Sequence, residues 1–378
     1  MKILFVAPYY KPYLGGIERV IEQMSLRFQS LYGAQTYVLT TKWSFPRVYQ
    51  PKWAKQEIIE GNHIYRLNSF PGVAPSVFQV PLVWFSPVEI KKYLESVKPD
   101  VIQLMSDRWF WTNYWIIFWA KRMKIPVSFA LTFHSLTKLQ RWLIPLNMYL
   151  TNTCDAVEVV TNLEKQKVQS TYKTQPDLIK VIPWGITKPL PTTRKLPHMG
   201  TEVTILCVGR ISEHKGQLWL AQRYQQANFT HNTHLVLVGG IENEKYKERI
   251  SKLTFSGDKR LTITGEVSED ALFEYYNSSD IFALYPEYEA FGLVFLEALS
   301  RGIPVASHNV GTLSEVLSAG SMLAKAYDSS EVVSNIETLV NDPYKRKTLG
   351  TRGKTYVLEH FTWEKTVEQF MQLYTSLL

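Results

Sequence analysis

The sequence predicts an α/β protein built from two doubly wound, Rossmann-like domains. Three observations predict it. A chain of 378 residues is too long for one ordinary core. Short apolar runs alternate with helical patterns along its whole length, the mark of parallel sheets assembled from βαβ units. The alternation halts at an aperiodic, proline-punctuated stretch, TKPLPTTRKLPHMG at 187–200, and then starts afresh. The composition, 45% hydrophobic and 20% charged, is that of a folded globular protein, without low-complexity tracts or short repeats.

In the first half the expected strands are 2–7, 35–41, 101–105, 126–133, 157–161 and 180–183. The opening run, MKILFVAP, is too short for the apolar region of a signal peptide and reads as a first buried strand. In the second half the expected strands are 203–208, 235–238, 261–264, 281–284 and 304–307. This places a domain at 1–186, a linker at 187–200 and a second domain at 201–355. Two such domains on a hinge would face a central cleft at the carboxyl ends of their strands, where ligands of these folds bind.

Cys154 and Cys207 each sit in or beside a strand-like run, which argues against a disulfide framework or thiolate metal site and for a reducing, cytoplasmic compartment. The formal charge of +8 is scattered, with no helix that concentrates it, so nucleic acid is excluded as partner. An anionic small substrate or an anionic membrane surface suits dispersed charge equally well. The most apolar segment, RWFWTNYWIIFWAKRMK at 108–124, is too short to span a bilayer and is interrupted by Asn113. It reads first as a core helix. A base-flanked aromatic face seated peripherally on the cytoplasmic side of a membrane is the alternative.

Three constellations fall at expected strand ends. After the first strand, Gly15 and Gly16 open a helix marked by Ile17, Val20, Ile21 and Met24, whose free amides can cradle an anion or let a sugar approach. The third glycine of the dinucleotide fingerprint is missing. In ILCVGRISEHKGQ, Gly209 ends a strand while Arg210 and Lys215 project cations, a planar fork and a point charge suited to a diphosphate. In PEYEAFGLVFLEALSRGIPV, Pro286 closes another strand and the amides of Phe291, Gly292 and Leu293 start a helix. Taken alone, Glu297 reads as a solvated-edge residue paired with Arg301 four positions on. Yet Glu289 and Glu297 stand roughly 12 Å apart if the stretch is helical, comparable to the span of a nucleotide sugar. One carboxylate then accepts from ribose hydroxyls while the other addresses the sugar.

VGRISEHKG, PEYEAFGLVFLEALSRGIPVASHNVGTLSEV, GGIE and VIPWGI together resemble glycosyltransferases of the GT-B fold, family 4 type, over the whole chain. The resemblance implies that the second domain holds a nucleoside diphosphate sugar, with UDP- or GDP-sugars expected. Arg210 and Lys215 neutralise the diphosphate, Glu297 binds ribose, Glu289 lies near the sugar hydroxyls, and Gly16, Gly209 and the amides of Phe291, Gly292 and Leu293 complete the donor site. It implies transfer with retention of configuration, and since no metal-ligand cluster stands out in the sequence and the carboxylates have other work, no metal and no cofactor are expected. His134, in LTFHS, matches a histidine that contacts the donor sugar, and Asp107 is the acceptor-side candidate. The implied acceptor is a sugar, glycolipid, lipid-linked precursor or polysaccharide, with a small soluble acceptor or a non-catalytic binding protein of the same fold as alternatives. The final helix, 356–378, is implied to cross back onto the first domain. Gln103 and Met105 stand where relatives often carry histidine, which puts acceptor-side roles there in doubt; Trp184 stands where asparagine is common, where its ring either stacks on a base or sugar or packs the hinge, and packing is expected.

Overall fold

The computed structural model describes residues 1–12, 15–44, 48–68, 87–106, 110–131, 140–189, 202–255 and 259–378. They form two compact units, Met1–Trp184 with Trp363–Leu378, and Gly185–Thr362. The returning segment therefore begins at Trp363. The expected boundary at 356 falls inside the helix Pro343–His360, which belongs to the second unit. Of the expected linker, 190–200 lie outside the described residues.

Unit 1 carries β1 (Lys2–Val6), β2 (Gln35–Thr41), β3 (Trp43–Ser44), β4 (Val48–Tyr49), β5 (Gln56–Ile59), β6 (Asn62–Leu67), β7 (Val101–Leu104), β8 (Val127–Ala130), β9 (Ala156–Val159) and β10 (Ile179–Val181). Eight of these make one sheet in the order β10-β9-β8-β7-β1-β2-β6-β5, while β3 and β4 pair separately. All neighbours in the large sheet run parallel except β5, which joins β6 antiparallel at the edge. The β5–β6 hairpin turns at Glu60 and Gly61, both at positive φ (50° and 74°), as a two-residue hairpin turn requires. Strands β7, β8 and β9 are buried at every position and are mostly apolar, each with one buried polar residue, Gln103, Ser128 and Glu158. Edge strand β5 alternates with solvent and leaves no such run.

The helix Phe110–Met123 divides its residues between two surroundings. Thr112, Asn113, Ile116, Ile117 and Ala120 are buried, and Asn113 Nδ2 donates to the Ser106 carbonyl at 2.7 Å. Trp111 is 59% exposed, and Tyr114, Trp115, Phe118 and Trp119 are half-buried. Among the described residues no helix is long and apolar enough to cross a membrane. Cys154 and Cys207 are buried free thiols.

The helix Trp363–Leu377 buries Trp363, Val367, Phe370 and Leu373 in unit 1, together with Thr366 and Tyr374. Tyr374 ends a buried polar chain. Its hydroxyl donates to Gln103 Oε1 at 2.7 Å, and Gln103 Nε2 donates to Glu158 Oε2 at 3.0 Å. Gln103 thus serves the core of unit 1, Met105 is buried beside it in sequence, and Trp184 is buried as well. Burial lifts the Glu158 carboxyl from 4.5 to about 8, against the lowering effect of the Gln103 hydrogen bond.

Unit 2 carries β11 (Val203–Val208), β12 (Thr233–Val238), β13 (Lys259–Gly265), β14 (Ile281–Ala283), β15 (Val305–His308) and β16 (Ser321–Ala324). Their order is β13-β12-β11-β14-β15-β16, and every pairing is parallel. Chain connections run outward from β11 on one side and from β14 on the other. The carboxyl ends of β11 and β14 therefore flank the topological switch point, where open parallel sheets leave room for a ligand.

The Glu158 shift fixes a pH dependence. Unfolded, this carboxyl loses its proton near 4.5; folded, it keeps it to about 8, so stability falls as pH rises across that window and is level above it. Glu158→Gln should melt about 3–6 °C above the parent at pH 8.5 and close to it at pH 5. Parallel melting curves across that range would show that Glu158 is not carried as the neutral acid.

Candidate active site

The switch point of unit 2 gathers most of the sequence-predicted residues. Gly209 and Arg210 follow β11 directly, and the chain then makes a short turn, Glu213–Lys215, before the helix Gln217–Gln226. Gln217, fully buried, holds this loop in shape. Its Nε2 donates to the Arg210 carbonyl at 2.8 Å, and its Oε1 accepts from Ser212 N–H at 3.3 Å. Gly216 sits at φ 73°, and a Cβ there would lie 2.0 Å from the Tyr285 carbonyl oxygen. Glycine is thus required both by conformation and by the approach of the second loop.

That second loop leaves β14 and carries Glu289. It is clamped from both sides: Glu287 N–H donates to the His214 carbonyl at 2.9 Å, and Thr312 N–H donates to the Glu289 carbonyl at 3.2 Å. The Thr312 hydroxyl donates to the Ala290 carbonyl. His308, at the end of β15, donates from Nε2 to the Pro286 carbonyl at 2.6 Å and accepts from Tyr327 N–H at Nδ1 at 3.4 Å. Both bonds suit a neutral ring, and burial moves the His308 pKa below its usual value. His214 is also shifted down, first by burial and then by Lys215 and Arg210.

With both loops fixed, Lys215 Nζ donates to Glu289 Oε2 at 2.9 Å across the switch point. The two side chains are 21% and 14% exposed. Arg210 Nη1 meets Glu242 Oε2 at 3.1 Å, in a pair 48% and 38% exposed.

The helix expected from Gly292 forms over Leu293–Ser300, with Gly292 as its cap in the left-handed region. Phe291 and Gly292 are buried at its amino end, and the Phe295 N–H bonds the Gly292 carbonyl at 3.0 Å. Glu297 is half-buried. The hydroxyl of buried Tyr276 donates to Glu297 Oε2 at 2.8 Å. Arg301 Nη1 bonds the backbone carbonyl of Glu297 at 2.9 Å, and its guanidinium lies 5.0 Å from the ring centres of Phe273 and Tyr276. The Glu297 charge also acts on the Arg301 guanidinium, so the pairing suggested by spacing is kept and a backbone contact and a tyrosine are added to it.

Gly16 lies in unit 1, at the start of the helix Gly16–Tyr32. A Cβ added there meets nothing within 4 Å among the described residues, so packing does not demand glycine. The amide of Gly15 is taken by buried Glu18, at 2.9 Å. His134 and Asp107 lie outside the described residues. Sequence reasoning did not assign Gln217, Tyr276, His308, Thr312 or Glu242. The one available signal was the glycine before Thr312: Gly311, at φ 62°, would place a Cβ 1.9 Å from the Glu289 carbonyl oxygen.

Comparison with known proteins extends this picture to the whole chain. Residues 14–188 match the family model described as Glycosyltransferase Family 4, and residues 192–356 match that of Glycosyl transferases group 1. An uncharacterized glycosyltransferase of Methanocaldococcus jannaschii is 26% identical over 235 residues, which span 59% of this chain and 60% of that protein. Sucrose-phosphate synthase from Thermosynechococcus elongatus superposes with a TM-score of 0.80 at 21% identity, over 100% of this chain and 98% of that one. Anabaena HepE in complex with UDP-glucose superposes with a TM-score of 0.74 at 17% identity over 100% of both chains. At those identities the structural likeness speaks for the fold, while the family models match both halves of the sequence. The protein belongs to the glycosyltransferases of the GT-B fold, family 4 type.

Proposed function

We propose that the protein transfers a hexose-type sugar from a nucleoside diphosphate sugar to an acceptor hydroxyl, with retention of configuration and without a metal. The observation that carries this reading is the meeting of Lys215 and Glu289 across the switch point of unit 2, beside Arg210 and the amino end of the helix Leu293–Ser300. A diphosphate bound there sits among two cations and helix-end amides, which offset the charge that grows on it as the glycosidic bond breaks. Glu297, oriented by Tyr276, accepts from the ribose hydroxyls, and Glu289 addresses hydroxyls of the sugar.

The acceptor oxygen attacks the anomeric carbon from the face that the diphosphate leaves. The bond to phosphate breaks with its electron pair going to the diphosphate, and a diphosphate oxygen takes the acceptor's proton. His134 is proposed on the donor sugar from its motif match, and Asp107 at the acceptor from its place after the strand in IQLMSD. A UDP- or GDP-sugar is the proposed donor; HepE, of the same fold, was solved with UDP-glucose.

For the acceptor we favour a glycolipid, lipid-linked or polysaccharide hydroxyl. Trp111 and Tyr149, 59% and 51% exposed, flank Tyr114, whose ring centre lies 5.9 Å from that of Tyr149. Arg122 holds its guanidinium 3.5 Å from the Phe118 ring centre. An aromatic, basic face of this kind suits the interface of an anionic membrane. A small soluble acceptor, as the name of sucrose-phosphate synthase describes for that enzyme, is the second reading.

Calorimetric titration with uridine, guanosine and adenosine diphosphates should show one base bound, equally with and without Mg²⁺. Tyr276→Phe should weaken that binding about 3- to 10-fold by freeing Glu297 from its orienting bond. No binding of any of the three would overturn the donor reading. Lys215→Ala should lower kcat by about 10²–10³-fold while free nucleoside binding is unchanged; equal losses would argue against diphosphate neutralisation. The protein should sediment with anionic vesicles in low salt and leave them in high salt. Its absence from the pellet would favour a soluble acceptor.

A further inference from the structure

The loops that carry Arg210 and Glu242 are joined backbone to backbone. Ile211 N–H donates to the Gly240 carbonyl at 2.9 Å and Glu242 N–H donates to the Ile211 carbonyl at 3.2 Å, a parallel bridge beyond the ends of β11 and β12. The approach is close at its root as well. A Cβ on Gly239, at φ 149°, would fall 2.2 Å from the Gly209 carbonyl oxygen. These constraints set the Glu242 carboxylate opposite Arg210, 3.1 Å away. A pair this exposed adds little to stability. Its significance lies in where it stands: Arg210 and Lys215, the two cations assigned to the diphosphate, each meet a carboxylate of their own chain.

We propose that Glu242 is an internal counter-ion, occupying Arg210 in the donor-free protein and competing with the diphosphate for it, so that it sets donor affinity by charge. The proposal rests on the donor reading above. A diphosphate offers the guanidinium oxygens from two phosphates and more than one negative charge, where Glu242, met at Nη1, brings one carboxylate and one charge. Once it is bound, Glu242 becomes a like charge beside it, and its exposure lets the carboxylate turn into solvent. Glu289 differs in kind: it is 14% exposed and its backbone is clamped on both sides, so it stays in the site when Lys215 changes partner. The competition therefore acts on ligands with adjacent phosphates and leaves an uncharged nucleoside untouched.

The test is titration of the parent protein and Glu242→Gln with inorganic pyrophosphate, with each nucleoside diphosphate and with the matching nucleosides, at low salt and at high salt. At low salt the variant should bind pyrophosphate and the preferred nucleoside diphosphate about 2- to 5-fold more tightly, with nucleoside affinity unchanged. The gain should shrink at high salt. Equal affinities in the two proteins would overturn the proposal. So would weaker nucleoside binding in the variant, which would place Glu242 in contact with ribose or base. The pyrophosphate arm separates the two readings. If the variant gains for pyrophosphate while no nucleotide binds either protein, the counter-ion role stands and the donor reading falls. If a nucleotide binds both proteins alike, the donor reading stands and the counter-ion role falls.

Discussion

The ion pair between Lys215 and Glu289 spans the point where the strand order of the second sheet reverses, and most of the site is arranged to make that contact. Its two partners are 74 residues apart in sequence, Lys215 at the end of the short turn Glu213–Lys215 and Glu289 on the loop that follows β14. Each loop is therefore tied down by backbone bonds from its neighbours. Gln217 shapes the first loop from inside its turn. His308 and Thr312 hold the second, and the His214–Glu287 bond joins the two. A pair with side chains 21% and 14% exposed has lost much of its hydration, so it persists only where geometry leaves it no better partner. In the proposed function, the donor diphosphate is that better partner for the lysine.

This dependence gives the glycines of the site their meaning. Gly216 lets the first loop pass within touching distance of the Tyr285 carbonyl, and Gly311, after β15, does the same at the Glu289 carbonyl. Both occupy backbone conformations that side chains resist, and both face a carbonyl of the loop that carries Glu289, Gly311 that of Glu289 itself. Loop positions this constrained serve binding and catalysis more readily than mobile ones.

The central strands were legible because a parallel strand buried on both faces is dominated by apolar residues, as β7, β8, β9, β11 and β12 are, even where a polar residue such as Gln103 or Glu158 interrupts them. Edge strand β5 hides, since it spends every second residue on solvent. Strand β16 is only half-buried at three of its four positions, so it carries no buried apolar signal. Arg210, Lys215, Glu289 and Glu297 were legible from motif and spacing because their chemistry is carried by residue type. Tyr276, His308 and Gln217 were not, because nothing in a tyrosine, histidine or glutamine announces which backbone or carboxylate it will meet in three dimensions. The polar Gln103, in a strand where relatives often carry histidine, proved to be answered by Glu158 and Tyr374, partners 55 and 271 residues away.

That last contact has a consequence for how the molecule is made. The helix Trp363–Leu377 completes unit 1, yet it is translated only after all of unit 2. During synthesis the first sheet must wait with Gln103 and Glu158 lacking their tyrosine and with Phe28 lacking the ring of Tyr374, 5.8 Å from it in the finished fold. The nascent first unit therefore exposes a greasy seam for as long as the ribosome takes to make the second. It is there, in the interval before the last helix arrives, that a chaperone would find its longest opportunity to bind.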